Sequence, residues 1–153
     1  MFSKAESSRI RQEFWTTFGL YMKPIISSEG MRINWINYNT KLKDVYFRME
    51  THRKSAEIAI SIEHNDPDIQ ELFFEQFLEL KTLLHMELEE EWAWELHAVE
   101  EDGKVISKIY KELPKTSVFN KDHWPELISF FKPRIIALDR FWENAQYAFE
   151  SLK

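Results

Sequence analysis

The chain has 153 residues, of which 44% are hydrophobic and 30% charged, so it fits one folded domain over residues 1–153 and not a disordered chain. It has no cysteine, which excludes disulfides and thiolate chemistry; it has no bilayer-length apolar run and no signal-peptide layout, so we expect a cytoplasmic protein outside membranes. Its net charge of −6 disfavours nucleic-acid binding, although a local basic patch would override that average.

The first part of the chain predicts a helix and a weak strand. Residues 3–23 place apolar side chains at helical spacing, and Pro24 ends the helix. Residues 31–38 alternate weakly, with Ile33 and Trp35 on one face. We therefore expect a strand there, preceding the stronger strand signals downstream.

Two hairpins follow from stricter alternation. Residues 45–50 and 56–63 alternate apolar and polar side chains around a polar loop at 51–55. Residues 92–99 alternate in the same way, and a turn at 101–103 leads to a returning strand at 105–110. Each pair predicts two antiparallel strands.

Two further helices separate and follow the hairpins. Asp66 can cap a helix that begins at Pro67 and runs to about Glu89. Residues 122–152 carry a long apolar stripe, and Pro133 within it predicts a kink or a break.

The predicted fold is α+β, in the order α-(β)ββ-α-ββ-α. Short turns between consecutive strands favour an antiparallel sheet of four to five strands, with helices packed mainly on one face. The other face is left partly polar, and it is the first place to look for function.

The polar face supplies the candidate ligand-binding residues, which are Tyr46, Arg48, Glu57, Ser61, Glu63, Glu95 and His97. Arg48 offers a planar fork suited to carboxylate or phosphate. Glu95 and His97 lie two residues apart on one strand, so we expect them to share a face as an acid/base pair or a weak metal site. A solvated face with cross-strand ion pairs is the alternative.

No motif identifies a reaction, so we predict no catalytic residue, no metal and no cofactor. Pro67-Asp68 followed by Glu79-Leu-Lys81 matches a nuclease string, but residues 79 and 81 diverge on a helix and cannot meet at one metal. The histidines lack zinc spacing. A basic patch is available for nucleic acid, or as a solvated hairpin, at Lys104, Lys108, Lys111, Lys115 and Lys121.

Several strings together resemble a known family: Asn37-Tyr38, Tyr46-Phe-Arg-Met49, the segment 73–81 and the segment 124–142. The chain resembles a stand-alone member of the domain of unknown function family DUF4268, over nearly its whole length. The resemblance implies a bacterial or archaeal protein and a link to nucleic-acid processing or defence. It implies no catalytic residues.

Two functions remain open from the sequence. One is a non-enzymatic interaction or accessory domain, with a protein partner or a second copy of itself. The other is a small ligand-binding domain or enzyme that uses Arg48, Glu95 and His97 on the polar sheet face, and it requires these three side chains to converge.

Overall fold

A computed structural model describes residues 2–152 of the chain. The elements in chain order are α1 Lys4–Met22, β1 Val45–Thr51, β2 Ser55–Ile62, α2 Pro67–Glu79, α3 Lys81–Leu88, β3 Ala93–Val99, β4 Val105–Pro114 and α4 Trp124–Ala145. Short 3-10 turns at Lys121–His123 and Gln146–Leu152 flank α4. The four strands form one antiparallel sheet in the order β1-β2-β4-β3, which confirms the predicted α+β class and element order.

The helix starts follow capping chemistry in the sequence. At α1, the Ser3 side chain accepts a hydrogen bond from the Glu6 amide and the Glu6 carboxylate accepts one from the Ser3 amide, which satisfies two amides that a helix start leaves free. At α2, Asp66 accepts from the Asp68 amide, with Pro67 in the first turn as expected.

One face of the sheet carries the core. Ile58, Ile60 and Ile62 of β2 are fully buried, as the alternation predicts. Elements α2 and α4 pack over this side, which we call the covered face. The aromatic core lies between them, where the Phe77 and Phe149 ring centroids are 4.6 Å apart and Trp142 lies 5.3 Å from Phe149.

The predicted strand at residues 31–38 is wrong. This segment has no regular structure, because the Asn34 side chain accepts hydrogen bonds from the amides of Ile36 and Asn37 and bends the backbone. Trp35 is buried and donates its indole N–H to the Ile25 carbonyl, whereas Ile33 is exposed. A weak alternation therefore did not correspond to a sheet face.

Two long predicted helices differ from the structure in where their regular α geometry ends. The predicted helix 67–89 divides at Leu80, whose φ of −99° and ψ of 11° separate α2 from α3. The predicted helix 122–152 has regular α geometry only in α4, and Pro133 lies inside it without a break. None of the helices within residues 2–152 has the length and apolarity needed to cross a bilayer.

Candidate functional site

The sheet face away from α2 and α4 is lined by charged and small side chains. We call it the open face, and the strand register assigns to it Tyr46, Arg48, Glu50, Glu57, Ala59, Ser61, Glu63, Glu95, Ile106, Lys108 and Tyr110. Ala59 and Ser61 are small and lie in the middle of β2. Taller neighbours on β1 and β4 therefore enclose a shallow depression.

Glu63 is the centre of a charge network on this face. Its carboxylate accepts two hydrogen bonds from Arg48, at 2.7 Å from Nε and 3.1 Å from Nη2, and one from Lys104 Nζ at 3.0 Å. The Ser61 hydroxyl donates a further bond at 2.8 Å. Burial opposes the charge of Glu63, but these donors outweigh it and lower its pKa to about 2. Glu63 is therefore held ionised.

A second ion pair lies beside it in a drier place. Lys108 Nζ is 3.1 Å from Glu57 Oε1, and both side chains are only 12% exposed. Burial is the largest influence on both groups: it raises the pKa of Glu57 in spite of Lys108, and it opposes the charge of Lys108. For Lys108 the hydrogen bond and the negative charge of Glu57, together with the charge of Glu100, outweigh burial and raise the pKa, which keeps the ammonium charged.

Four predicted residues come together on this face. Two of them, Tyr46 and Arg48, lie on β1, Glu57 lies on β2, and Glu63 follows directly after β2. The Arg48 guanidinium stacks 4.2 Å from the centroid of the Tyr46 ring. The hydrogen bond to Glu63 raises the pKa of Arg48. Its planar fork is already engaged by that carboxylate, so it is not free for a ligand anion.

A groove of about 580 Å³ runs over these ion pairs, and we call it the face groove. Its lining has six carboxylates against three basic side chains, a formal net charge of −3. The residues that add acidity beyond the predicted set are Glu50, Glu100, Glu101 and Asp102. The groove therefore favours a cationic occupant.

The expectation that Glu95 and His97 share a face is wrong. A register shift between Glu95 and Ala98 places an extra residue in β3, and His97 takes a φ of +54°. A bulge of this kind reverses the alternation. Glu95 stays on the open face, 3.4 Å from the Tyr110 hydroxyl, whereas His97 Nε2 lies 2.9 Å from the Pro67 carbonyl oxygen of α2.

Arg48 and Glu95 do not converge either. They lie on β1 and β3, the two outer strands, which are three strand spacings apart in the order β1-β2-β4-β3. Three spacings amount to about 14 Å. The arrangement of Arg48, Glu95 and His97 required for the enzyme hypothesis is therefore absent from the described residues, 2–152.

The lysines considered as a basic patch are dispersed. Lys104, Lys108 and Lys121 each pair with a carboxylate, respectively Glu63, Glu57 and Glu13. Lys111 lies opposite Ile58, on the covered face. The sequence pattern does not identify Lys104 and Lys108 as members of the open-face site, because only the register of β4 against β2 shows which carboxylates they meet.

The segment with the nuclease string has the expected helical geometry. Glu79 ends α2 and Lys81 begins α3, so they do not lie together on a strand. Within residues 2–152 no group of three or more histidine and acidic side chains has a metal-holding arrangement.

Comparison with known proteins gives a family and no activity. The family model described as Domain of unknown function (DUF4268) matches residues 10–146, a range that includes all four strands and α2, α3 and α4. No curated protein and no solved structure matches the chain. The family description assigns no reaction or ligand, so the geometry above has to carry any functional interpretation.

Proposed function

We propose, from the premise that the chain belongs to the DUF4268 family, that it is a non-enzymatic interaction module which binds a protein partner through the open face of its sheet. The proposal includes a cytoplasmic location and an accessory role beside nucleic-acid-processing or defence enzymes. The one observation that carries it is a sheet face that no helix within residues 2–152 covers, and whose charges are held in place by ion pairs.

Preorganised charge supports binding more directly than catalysis. Arg48 and Lys104 both donate to Glu63, so a partner would meet groups that have already lost their side-chain freedom. All three are already paired, and the lowered pKa of Glu63 lies far from the neutral range that suits a general acid or base. The proposed contact residues are Tyr46, Arg48, Glu57 and Glu63 at the centre of the open face and Glu95 on the far strand, β3. His97 does not lie on the open face; it contacts α2 from beneath β3 and supports that helix.

The charge of the face groove favours protein over nucleic acid as the partner. Its formal net charge of −3 has the same sign as the charge of the whole chain, −6. Both repel phosphate and attract a basic protein surface. Binding should therefore weaken as salt rises, because the contact is largely electrostatic at its rim.

The test is affinity capture with charge-reversed variants. Tagged protein is used to capture partners from cells of the source organism; a captured protein is purified, and its affinity is measured by calorimetry. Glu101 is exposed on the face groove and Glu75 is exposed on α2, so Glu101→Lys should weaken binding about tenfold, whereas the matched change Glu75→Lys should not. Equal affinities for the two variants would contradict the proposed surface.

A further inference from the structure

One edge of the sheet is formed by β1, which pairs only with β2. The hydrogen bonds from the Glu63 amide to the Asp44 carbonyl and from the His52 amide to the Ser55 carbonyl show that even-numbered residues of this strand bond to β2. In an antiparallel pair the alternate residues turn their backbone groups the other way. The residues that direct N–H and C=O groups to the free edge are Val45, Phe47, Met49 and Thr51.

The start of this edge is closed and the rest is open. The Val45 amide donates to the Leu42 carbonyl at 3.3 Å, and the Val45 carbonyl accepts from the Thr40 hydroxyl at 2.7 Å. No group within residues 2–152 bonds the outward backbone of Phe47, Met49 or Thr51. The unpaired segment is therefore 47–51.

The two edges of the sheet differ in how well they discourage the addition of a strand. The opposite edge has a bulge at His97, a device that discourages strand addition, and β1 has no such bulge.

A second groove, of about 550 Å³, follows the open segment, and we call it the edge groove. Its walls are Trp15 of α1 and the loop around Tyr38. Tyr38 is fixed there, because its ring stacks 5.0 Å from Phe47 and its hydroxyl donates to Asp139 at 2.6 Å. A trough with aromatic walls and unpaired backbone groups at its floor suits an extended chain.

The edge groove and the face groove share Arg48 and Glu50 in their linings. A strand added beside β1 would alternate its side chains between the two grooves. One set would meet Trp15, Tyr38 and Met49; the other would lie at the margin of the face groove, whose net charge is −3. Apolar residues fit the first position and basic residues fit the second.

We propose that β1 accepts, as a fifth strand, an extended segment of a partner protein in which apolar and basic residues alternate. This inference rests on the proposed interaction function and names the partner's chemistry. The segment needs about five residues to pair with 47–51, a length of about 17 Å. A second copy of the chain is disfavoured as occupant, since two faces of net charge −3 would lie side by side.

The test uses a fluorescein-labelled heptapeptide of alternating lysine and valine with blocked ends. Anisotropy should report saturable binding, weakened about tenfold when alternate backbone amides are N-methylated, since those amides would lose their strand bonds. A glutamate–valine peptide should bind at least tenfold more weakly. In amide exchange, the N–H groups of Phe47, Met49 and Thr51 should become protected.

Two variants separate the contributions of backbone and charge. Met49→Pro removes an N–H group that points to the free edge and does not remove a hydrogen bond to β2, so an edge strand should tolerate it. Peptide affinity should fall about tenfold, while the circular dichroism spectrum should stay unchanged. Glu50→Lys should reduce the peptide affinity although the free backbone amides of β1 are unchanged. The control Glu75→Lys should leave the peptide affinity as it is in the wild type. If N-methylation and both β1 variants leave peptide affinity unchanged, the proposal is wrong.

Other outcomes have equally definite meanings. A captured partner that depends on Glu101 but is indifferent to Met49→Pro would retain the open-face function and overturn strand addition. If the peptide binds but no captured partner depends on Glu101, strand addition would be retained and the open-face function would be overturned. A concentration-dependent dimer that Met49→Pro abolishes would identify a second copy as the occupant and overturn the basic segment.

Discussion

Replacing Glu63 with glutamine tests whether the central network of the open face stabilises the fold. The change keeps the size of the side chain and removes the charge that Arg48 and Lys104 share. A pKa lowered from 4.5 to about 2 corresponds to roughly 3 kcal/mol in favour of the ionised folded state. Arg48 and Lys104 are 43% and 49% exposed, so solvent screening reduces the expected loss to about 1.5–3 kcal/mol.

The pH dependence gives the sharper test. A carboxylate whose pKa is lowered by folding contributes stability at pH values above 4.5, and this contribution is lost as the pH falls towards about 2. The stability difference between wild type and Glu63→Gln should therefore be full at pH 7 and at most about half as large at pH 3.

Urea titration followed by tryptophan fluorescence measures this difference. With a urea slope near 2 kcal/mol/M, the midpoint of Glu63→Gln should lie about 1 M below that of wild type at pH 7. Glu75→Gln, on the exposed surface of α2, should stay within about 0.5 kcal/mol of wild type. A gap that is absent at pH 7, or that keeps its size down to pH 3, would refute the assignment of the low pKa to this network.

Three further tests address the Tyr38 loop, the Lys108–Glu57 ion pair of the open face and the aromatic core. Tyr38→Phe removes the 2.6 Å bond to the buried carboxylate of Asp139 and should cost about 1.5–3 kcal/mol in urea unfolding; an unchanged midpoint would contradict this. Lys108→Met leaves Glu57 buried without its cation and should cost about 3 kcal/mol, whereas adding Glu57→Gln should restore at least half; strictly additive losses in the cycle would exclude coupling. Phe77→Ala should cost about 3–5 kcal/mol with an unchanged urea slope, since it leaves a cavity among fully buried rings; a loss below 1 kcal/mol would count against that packing.

The hairpin of β1 and β2 could be predicted because its information is local. Along 45–50 and 56–63 the strict alternation of apolar and polar residues indicates the sheet face of each side chain, and the polar loop between the strands sets the register. The predicted burial of Ile58 and the predicted exposure of Arg48 are both confirmed by the structure. Capping at Asp66 is equally local, since donor and acceptor lie two residues apart.

The errors arise where distant groups decide the structure. Asn34 bends the segment 31–38 locally, but the position of the segment is fixed by contacts that no window of sequence contains, such as Tyr38 to Asp139, 101 residues away. The bulge at His97 depends on Ser107, whose hydroxyl accepts from the His97 amide and donates to the buried Gln70 side chain. Alternation alone assigns Glu95 and His97 to one face, because a bulge leaves no local signature when its residue is not glycine.

The aromatic residues limit how the proposed partner can be recognised. Aromatic residues make up 15% of the chain, and the structure places Trp35, Phe77 and Trp142 among them in the core. Trp124, near a loop, donates its indole N–H to the Val118 carbonyl oxygen. Interfaces usually obtain most of their affinity from a few buried aromatic or arginine anchors. Tyr46, 36% exposed and covered by Arg48, is the one aromatic ring that the register assigns to β1 on the open face. A partner strand beside β1 would therefore rely on backbone pairing, on apolar contact with the walls of the edge groove and on charge, which predicts a salt-sensitive complex that forms and dissociates readily.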